Sequence, residues 1–252
     1  MTPASFKRSI RDLQVWCSSC MVAFSGADAI GVLIGAKRPS GTLVYKIAVH
    51  PDHRRQGHGR HLLASLGSKL AILGPPRMVA EIPQALAPAC ELFRASGYVQ
   101  EARLTDYVLH PEHGHADMRK GFVIPVTVDD LSANGLFADS DRQVSWGRSV
   151  ESLSARKDGI GGFAVASDER IEAYVLYLAD AAAETEIVSL RSFIDDGGAR
   201  FAQLFAHLRA RGMETLRLSK VHPAEMPDEW RTTLGLRPVE DHLVYAATAR
   251  AA

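Results

Sequence analysis

The chain repeats one order of strands, helices and glycines at a spacing of 138 residues (212 minus 74, for example). Matching pairs of glycines and tyrosines are Gly74 and Gly212, Gly97 and Gly235, and Tyr107 and Tyr245. The same offset carries an apolar helix stripe onto a second one, from Leu63, Leu66 and Leu70 to Phe201, Leu204 and Leu208. Because stop residues and apolar stripe recur together, the sequence predicts two copies of one α/β unit.

Each copy predicts strands that alternate with helices. In the first copy we expect strands at residues 44–49, 78–82 and 107–109, and helices at about 63–73 and 85–95. In the second copy we expect strands at residues 186–190, 215–218 and 243–245, and helices at about 201–211 and 223–233. The second copy also has an opening strand at 122–128, which the first copy lacks. The predicted fold class is α/β (α+β), in two tandem domains.

The boundary between the copies is expected in the polar stretch at residues 110–117, which contains three histidines, a proline and a glycine. We therefore predict an N-terminal domain over residues 1–113 and a C-terminal domain over residues 114–252.

Composition limits the classes of partner. The 252 residues include 29 basic and 29 acidic side chains, so no net field favours nucleic acid or an anionic membrane. No apolar run has the length of a membrane span, and the N-terminus lacks the apolar core of a secretory signal. Three cysteines form no disulfide framework, and a cytoplasmic location is expected. We also expect no metal site, because Cys17 and Cys20 precede a strand and have no paired ligands.

One segment carries a recognisable binding pattern. A loop within residues 49–60, the first loop, follows an apolar strand and opens a helix, with Gly57 and Gly59 separated by one residue. The first turn of a helix has N–H groups without partners and a partial positive charge, so it favours an anion such as phosphate. The two glycines allow the backbone to approach that anion, and Arg54, Arg55 and Arg60 add local charge.

Two common phosphate loops do not match. A Walker loop ends in Gly-Lys-Ser/Thr, but Gly59 is followed by Arg60 and His61. A dinucleotide-binding loop has a third glycine where this chain has Leu62.

The first loop resembles the signature of the GCN5-related N-acetyltransferase (GNAT) superfamily. Arg54, Gly57 and Gly59 match its Arg/Gln-x-x-Gly-x-Gly/Ala pattern, and Gly97-Tyr98 before the closing strand is similar to a late Gly-Phe element. The resemblance implies, in each copy, a mixed and mostly antiparallel central sheet flanked by helices. It also implies that acetyl-coenzyme A (acetyl-CoA) is the cosubstrate. The cofactor-binding residues that it implies are Ile47, Ala48, Val49, Arg54, Arg55, Gln56, Gly57, His58, Gly59 and Arg60.

The corresponding second loop, residues 192–198, reads Ser-Phe-Ile-Asp-Asp-Gly-Gly. At the 138-residue offset, Gly57 falls on Asp195 and Gly59 on Gly197. Carboxylates at this position would repel a pyrophosphate, so we expect that the second copy has lost the site. The alternative is a shifted phosphate loop at Gly197 and Gly198.

The catalytic residues are less defined. Phe93 stands where the family often has a tyrosine that protonates the leaving thiolate, and Leu86 where an asparagine is common. The resemblance gives the backbone N–H of Val49 the task of polarising the thioester carbonyl. Candidates for acid–base chemistry are Glu81, Tyr45 and His50. Each also has a purely structural interpretation. Glu81 is then a solvated carboxylate at a strand edge, Tyr45 a core tyrosine on the face of Ile47 and Val49, and His50 an exposed histidine in a turn.

Two functions remain open from the sequence. The first is acetyl-CoA-dependent N-acetyl transfer to an amine of a small molecule or a protein. The second is a non-catalytic module of GNAT fold that binds acyl-CoA or a partner, which the residue Phe93 and the altered second loop favour.

Overall fold

A computed structural model describes residues 3–110, 122–137, 143–178 and 184–249. These residues form two compact units. The first contains the described residues up to Arg103 together with those from His242 onward, and the second runs from Leu104 to Asp241. The division of the sequence at residue 113 stays a prediction, and most of the proposed boundary stretch lies outside the described residues.

The first unit contains three helices and six strands or parts of strands among its described residues. These are α1 (Pro3–Asp12), β1 (Met21–Ser25), β2 (Asp28–Arg38), β3 (Gly41–Val49), α2 (His58–Leu73), β4 (Arg77–Pro83), α3 (Ala87–Ala95), the first residues of β5 (Val99–Leu109) and the last residues of β11 (Arg237–Thr248). Its sheet has the order β1-β2-β3-β4-β11, antiparallel except for the pair β3–β4.

Helix α2 forms because its apolar residues recur at helical spacing. Leu62, Leu63, Leu66 and Leu70 are buried on one face, and Gly74 ends the helix as its C-cap. This face packs with β4 and α3 in one core cluster, which also contains Tyr245. Replacing a fully buried leucine such as Leu66 with alanine costs about 2–5 kcal/mol in comparable cores, so this stripe is a principal source of stability.

The second unit has a similar order of elements. They are the end of β5, β6 (Phe122–Pro125), α4 (Val128–Ala133), α5 (Val150–Ala155), β7 (Ile160–Ala166), β8 (Ile171–Leu178), β9 (Thr185–Ser192), α6 (Ala199–Ala210), β10 (Leu216–Val221), α7 (Asp228–Leu234) and the start of β11. Its sheet runs β5-β10-β9-β8-β7-β6, with β9 and β10 parallel. Phe201, Leu204 and Leu208 of α6 are buried in its largest core cluster.

The predicted fold class is confirmed: both units have helices beside a mostly antiparallel sheet. The order β1-β2-β3-α2-β4-α3 of the first unit matches β7-β8-β9-α6-β10-α7 of the second. Strand β6 has no counterpart in residues 3–20, as the sequence indicated. Strand β11 is much longer than the three predicted residues, and its end lies in the first unit. No helix within the described ranges is both long and apolar enough to cross a bilayer.

The end of β11 completes the first unit's sheet and core. It pairs with β4 from His242 opposite Pro83 to Thr248 opposite Arg77, and it supplies the buried Leu243 and Tyr245. A chain that stops at Asp241 should therefore lose a cooperative melting transition, since losing two such side chains costs roughly 5 kcal/mol or more. Differential scanning calorimetry would measure this, with a chain ending at Ala249 as control. Equal melting profiles for the two chains would contradict the assignment.

Candidate functional site

The first loop leaves the N-terminus of α2 uncapped. After a short 3-10 turn at Pro51–His53, Arg55 and Gly57 both have left-handed backbone conformations, with φ of 62° and 88°. Gly57 is the N-cap residue, and no side chain accepts a hydrogen bond from the first turn. The N–H groups of His58 and Gly59 therefore point out of the helix without an intrahelical partner. This arrangement forms a concave group of donors suited to an anion.

The polar side chains around the loop have different tasks. Arg54 donates from Nε to the carbonyl oxygen of Val49 at 3.0 Å, so it stabilises the junction of strand and loop. Gln56 similarly donates to the carbonyl oxygen of Asp52 at 3.1 Å. The Arg55 side chain is 84% exposed and lies 3.7 Å from the Glu91 carboxylate, so its charge stays at the surface of the loop.

Strands β3 and β4 separate as they approach the loop. Their parallel pairing is recorded at Thr42–Met78 and Leu43–Val79, near the start of both strands. Beyond that point β3 continues to Val49 and β4 to Pro83, and β4 pairs along its other edge with β11. The β4-facing edge of β3 therefore diverges from its neighbour just before the loop. Ile47, Ala48 and Val49, predicted to bind the cofactor, lie in this diverging segment.

A β-bulge falls at Tyr45 in the same segment. In the pairing with β2, Lys46 lies opposite Ile34 and Val44 opposite Gly35, so Tyr45 is the extra residue. The Tyr45 ring lies 5.1 Å from Lys46 Nζ. Tyr45, Ile47 and Val49 are partly buried while Lys46 and Ala48 are exposed, which agrees with the expectation that Tyr45 shares a face with Ile47 and Val49. The bulge therefore shifts the register with β2 but keeps the alternation of β3 beyond Tyr45.

The other two catalytic candidates lie on different elements. Glu81 is on β4 and partly buried, and its neighbours Ala80 and Ile82 point into the core. His50 directly follows β3. Its Nδ1 lies 3.7 Å from the Asp52 carboxylate, and its ring is about half exposed. The His53 ring lies at edge-to-face distances of 5.9 Å from His50 and 6.1 Å from His58. His50, His53 and His58 are thus neighbours in the structure.

Gly59 has a packing function that the sequence pattern did not reveal. A Cβ atom on Gly59 would lie 3.1 Å from Leu92 Cδ2 on α3, whereas a Cβ on Gly57 would meet nothing within 4 Å. The expectation that both glycines let the backbone approach the anion stays a prediction, and the structure adds a packing function for Gly59. Gly59 permits α2 and α3 to pack closely, and Gly57 supplies the left-handed turn.

Phe93 on helix α3 lies in an apolar environment. The Phe93 ring is buried, edge-on to Tyr98 at 5.0 Å and stacked on Tyr245 at 6.3 Å. Burial raises the pKa of Tyr98, whose hydroxyl contacts Met78 Sδ. Tyr245 accepts a hydrogen bond from Arg94 Nε at 3.0 Å. Sequence reasoning missed Tyr245 in this place, because only the three-dimensional pairing brings the end of the chain to α3.

In the second loop, the carboxylate of Asp196 caps the start of α6. Gly198 is the N-cap of α6 with φ of 89°, so it corresponds to Gly57, at an offset of 141 (198 minus 57). Asp196 accepts hydrogen bonds from the backbone N–H of Gly198 at 3.0 Å and of Arg200 at 2.9 Å. The alignment of Gly57 with Asp195 is therefore wrong by three residues, since α6 begins about one turn later than α2. Asp196 occupies donors that an anion would need.

Comparison with known proteins identifies the kind of domain that contains the first loop. Residues 16–100 match the family model for an acetyltransferase (GNAT) domain. None of the curated protein sequences matches the chain significantly. This segment is therefore similar to GNAT domains, whose fold generally supports acyl-CoA-dependent N-acetyl transfer and binds acetyl-CoA.

Solved structures extend the likeness over the whole chain. A GCN5-related N-acetyltransferase from Sphaerobacter thermophilus has a TM-score of 0.65 at 17% identity, over 92% of this chain and 81% of that one. A tandem GNAT protein from the clavulanic acid biosynthesis pathway has a TM-score of 0.64 at 14% identity, over 96% and 87% of the two chains. A GCN5-related N-acetyltransferase from Anabaena variabilis has a TM-score of 0.65 at 12% identity, over 99% and 67%. These likenesses establish a tandem GNAT fold.

The close packing at Gly59 predicts a specific loss of stability. Gly59→Val should lower the free energy of unfolding by about 1–3 kcal/mol, because the new side chain overlaps Leu92. Urea unfolding would measure the change. The double variant Gly59→Val/Leu92→Ala should regain part of that stability, since the smaller residue on α3 makes room. A purely additive loss in the double variant would show that Leu92 is not the obstacle.

Proposed function

We propose that this chain is an acetyl-CoA-dependent N-acetyltransferase with a single cofactor site, located in the first unit. The observation that carries the proposal is the uncapped N-terminus of α2, next to the point where β3 and β4 separate. The anionic diphosphate of acetyl-CoA suits the open helix end, and an extended pantetheine arm suits the exposed edge of β3. Both features occur together in the segment that matches the GNAT family.

Each part of the loop has a distinct task in this proposal. The backbone N–H groups of residues 56–60 bind the diphosphate, because Gly57 turns them toward the anion. The flanking Arg55 and Arg60 add charge at the surface, and Arg54 keeps the loop joined to β3. The backbone of residues 47–49 pairs with the amides of the pantetheine arm, since the β4-facing edge of β3 diverges there.

The transfer itself follows from the chemistry of thioesters. A neutral amine attacks the acetyl carbonyl carbon, and a tetrahedral oxyanion forms. The C–S bond then breaks, the amide forms and the thiolate of coenzyme A takes up a proton. Backbone N–H groups near Val49 are placed to donate to the oxyanion, which in such reactions is usually the largest source of rate enhancement. The amine loses one proton to a base, and the sulfur gains one.

Glu81 is the best of the three candidates for the base. Its carboxylate lies on β4, the strand that diverges from β3, on the side of β4 away from the buried Ala80 and Ile82. His50 lies beside the loop and so nearer to the diphosphate end. Tyr45 lies at the bulge, and its hydroxyl is the candidate donor of a proton to the thiolate. It would take the role of the tyrosine that the family often has at the position of Phe93.

The second unit contributes no acetyl-CoA site in this proposal. Asp196 satisfies N–H groups at the start of α6 that the diphosphate would need, and its negative charge would repel the ligand. The start of α6 lies about one helical turn further along the repeat, so α6 is shorter at its N-terminus than α2. A non-catalytic acyl-CoA-binding module is the second candidate function, and the burial of Phe93 between two tyrosines favours it.

Coenzyme A binding tests the site at Gly57. Titration calorimetry should give a stoichiometry of about one per chain, and Gly57→Ala should weaken binding at least tenfold because the turn needs a positive φ. Gly97→Ala is the matched control: Gly97 also has a left-handed conformation, φ 82°, and open space around its Cα. Both variants should lose about 1 kcal/mol of stability, but only the first should lose affinity. Two sites per chain, or equal affinities, would refute the single-site proposal.

Turnover separates the two candidate functions. Acetyl-CoA incubated with a panel of primary amines should release free thiol with at least one acceptor, and Glu81→Gln should lower kcat by about 100-fold without a matching loss of coenzyme A affinity. His50→Asn and Tyr45→Phe serve as comparisons for the other candidates. Tight binding of coenzyme A without thiol release on any acceptor would support the binding module instead. An unchanged kcat in the Glu81 variant would exclude it as the base.

A further inference from the structure

Two cysteines of the first unit, Cys17 and Cys20, lie at the two ends of one tight turn between α1 and β1. The backbone forms a single 3-10 turn at Cys17–Ser19, and the N–H of Cys20 donates to the carbonyl oxygen of Cys17 at 3.0 Å. In a 3-10 helix, residues three apart are one full turn apart, about 6 Å, and their side chains eclipse one another. A disulfide joins residues whose Cα atoms are about 4.4–6.8 Å apart. The turn therefore brings the two thiols within range of a bond between them.

The two thiols differ in their access to solvent. Cys17 is exposed, whereas Cys20 is partly buried. The Cys20 thiol donates to the carbonyl oxygen of Trp16 at 3.3 Å, so its sulfur lies beside the peptide bond that joins Trp16 to Cys17. A reagent in solution therefore reaches Cys17 first, and Cys20 is next to it as a second thiol. An accessible cysteine beside a second one is the usual arrangement of a site of reversible oxidation.

Contacts with β2 hold the turn in this conformation. The N–H of Trp16 donates to the carbonyl oxygen of Gly35 at 3.2 Å, and the N–H of Ser19 donates to the carbonyl oxygen of Trp16 at 2.8 Å. Ser19 is buried, and a Cβ atom on Gly35 would lie 2.5 Å from its carbonyl oxygen, so the turn and the strand are in close contact. Because the backbone is already ordered, joining the two sulfur atoms costs little further conformational entropy.

We propose that Cys17 and Cys20 form a reversible disulfide by exchange with a small disulfide of the class of oxidised glutathione. The Cys17 thiolate attacks one sulfur of the small disulfide, a mixed disulfide forms, and the first glutathione thiolate leaves. The Cys20 thiolate then attacks the Cys17 sulfur, and the second glutathione thiolate leaves. The protein gives two electrons to the small disulfide, and the protons of the two cysteines go to the two released thiolates. This modification site is independent of acyl transfer.

The third cysteine, Cys90, serves as an internal reference. It is buried on α3, and its thiol contacts the carbonyl oxygen of Pro83 at 3.9 Å. Because burial shields it from a reagent of the size of glutathione, it should stay reduced while the pair in the turn reacts.

Reaction of the full chain with oxidised glutathione tests the proposal. The reduced protein is incubated with the reagent, quenched with acid, unfolded and alkylated, and its intact mass is measured. We expect one disulfide, mapped to Cys17 and Cys20 by peptide analysis, no bound glutathione, and one alkylated thiol at Cys90. A chain with all of its cysteines alkylated, or one that keeps a bound glutathione, would overturn the proposal.

Single substitutions assign the order of the two thiols. Cys20→Ser should stop at the mixed disulfide on Cys17, because the second thiol is missing. Cys17→Ser should react with oxidised glutathione at least about tenfold more slowly, since Cys20 is less accessible. Cys90→Ser is the matched control and should form the disulfide at the rate of the unmodified chain. Equal rates for Cys17→Ser and the unmodified chain would overturn the assignment of Cys17 as the first thiol.

The contribution of the turn is measured by comparing the folded chain with the chain unfolded in guanidinium chloride. Both are equilibrated with glutathione buffers of known ratio, in the Cys90→Ser variant so that only the pair reacts. The equilibrium constant for closing the disulfide should be at least about tenfold larger in the folded chain, because the turn holds the two thiols together. Equal constants in the folded and unfolded chains would show that the turn does not position the thiols, and would refute the proposal.

Discussion

The first N–H groups of every α-helix lack a partner within the helix, and the two units satisfy this constraint in opposite ways. In the first unit, the left-handed Gly57 opens the start of α2 and no side chain covers it. In the second unit, an equally left-handed Gly198 precedes α6, but Asp196 accepts from the exposed donors. A helix start covered by its own carboxylate needs no ligand. An open one provides a fixed place for an external anion, and the remaining features of the site are arranged around it.

The geometry of the sheet complements this open helix end. Strand β4 pairs with β11 along the whole of one edge. On its other edge, β4 pairs with β3 at two positions, near the start of both strands. The bulge at Tyr45 lies where β3 turns away from regular pairing. An extended ligand can therefore continue the hydrogen bonding of β3 and place its anionic end at α2. The same two strands carry the candidate groups for proton transfer, so binding and chemistry depend on one divergence of neighbouring strands.

Much of the fold could be predicted from the sequence because apolar periodicity reports burial directly. Leu63 and Phe201, and Leu66 and Leu204, are buried as the repeat indicated. The position of the second helix start could not be predicted in this way, because α6 begins about one turn later in the repeat while the apolar stripe that follows keeps its place. The bulge at Tyr45 and the contact of Gly59 with Leu92 were missed for a related reason: both depend on a neighbouring strand or helix, and a single segment carries no signal of its partner.

The placement of the last strand has a consequence for how the protein is made. The N-terminal half emerges first from the ribosome, yet the segment that completes its sheet is at the opposite end of the chain. At typical elongation rates, the residues from Leu104 to Asp241 take roughly 7–28 s to synthesise. Throughout that interval, the edge of β4 that pairs with β11 and the core side chains that pack against Tyr245 stay exposed. Nascent chains of this kind present an aggregation-prone surface, and we expect them to depend on chaperones until translation ends.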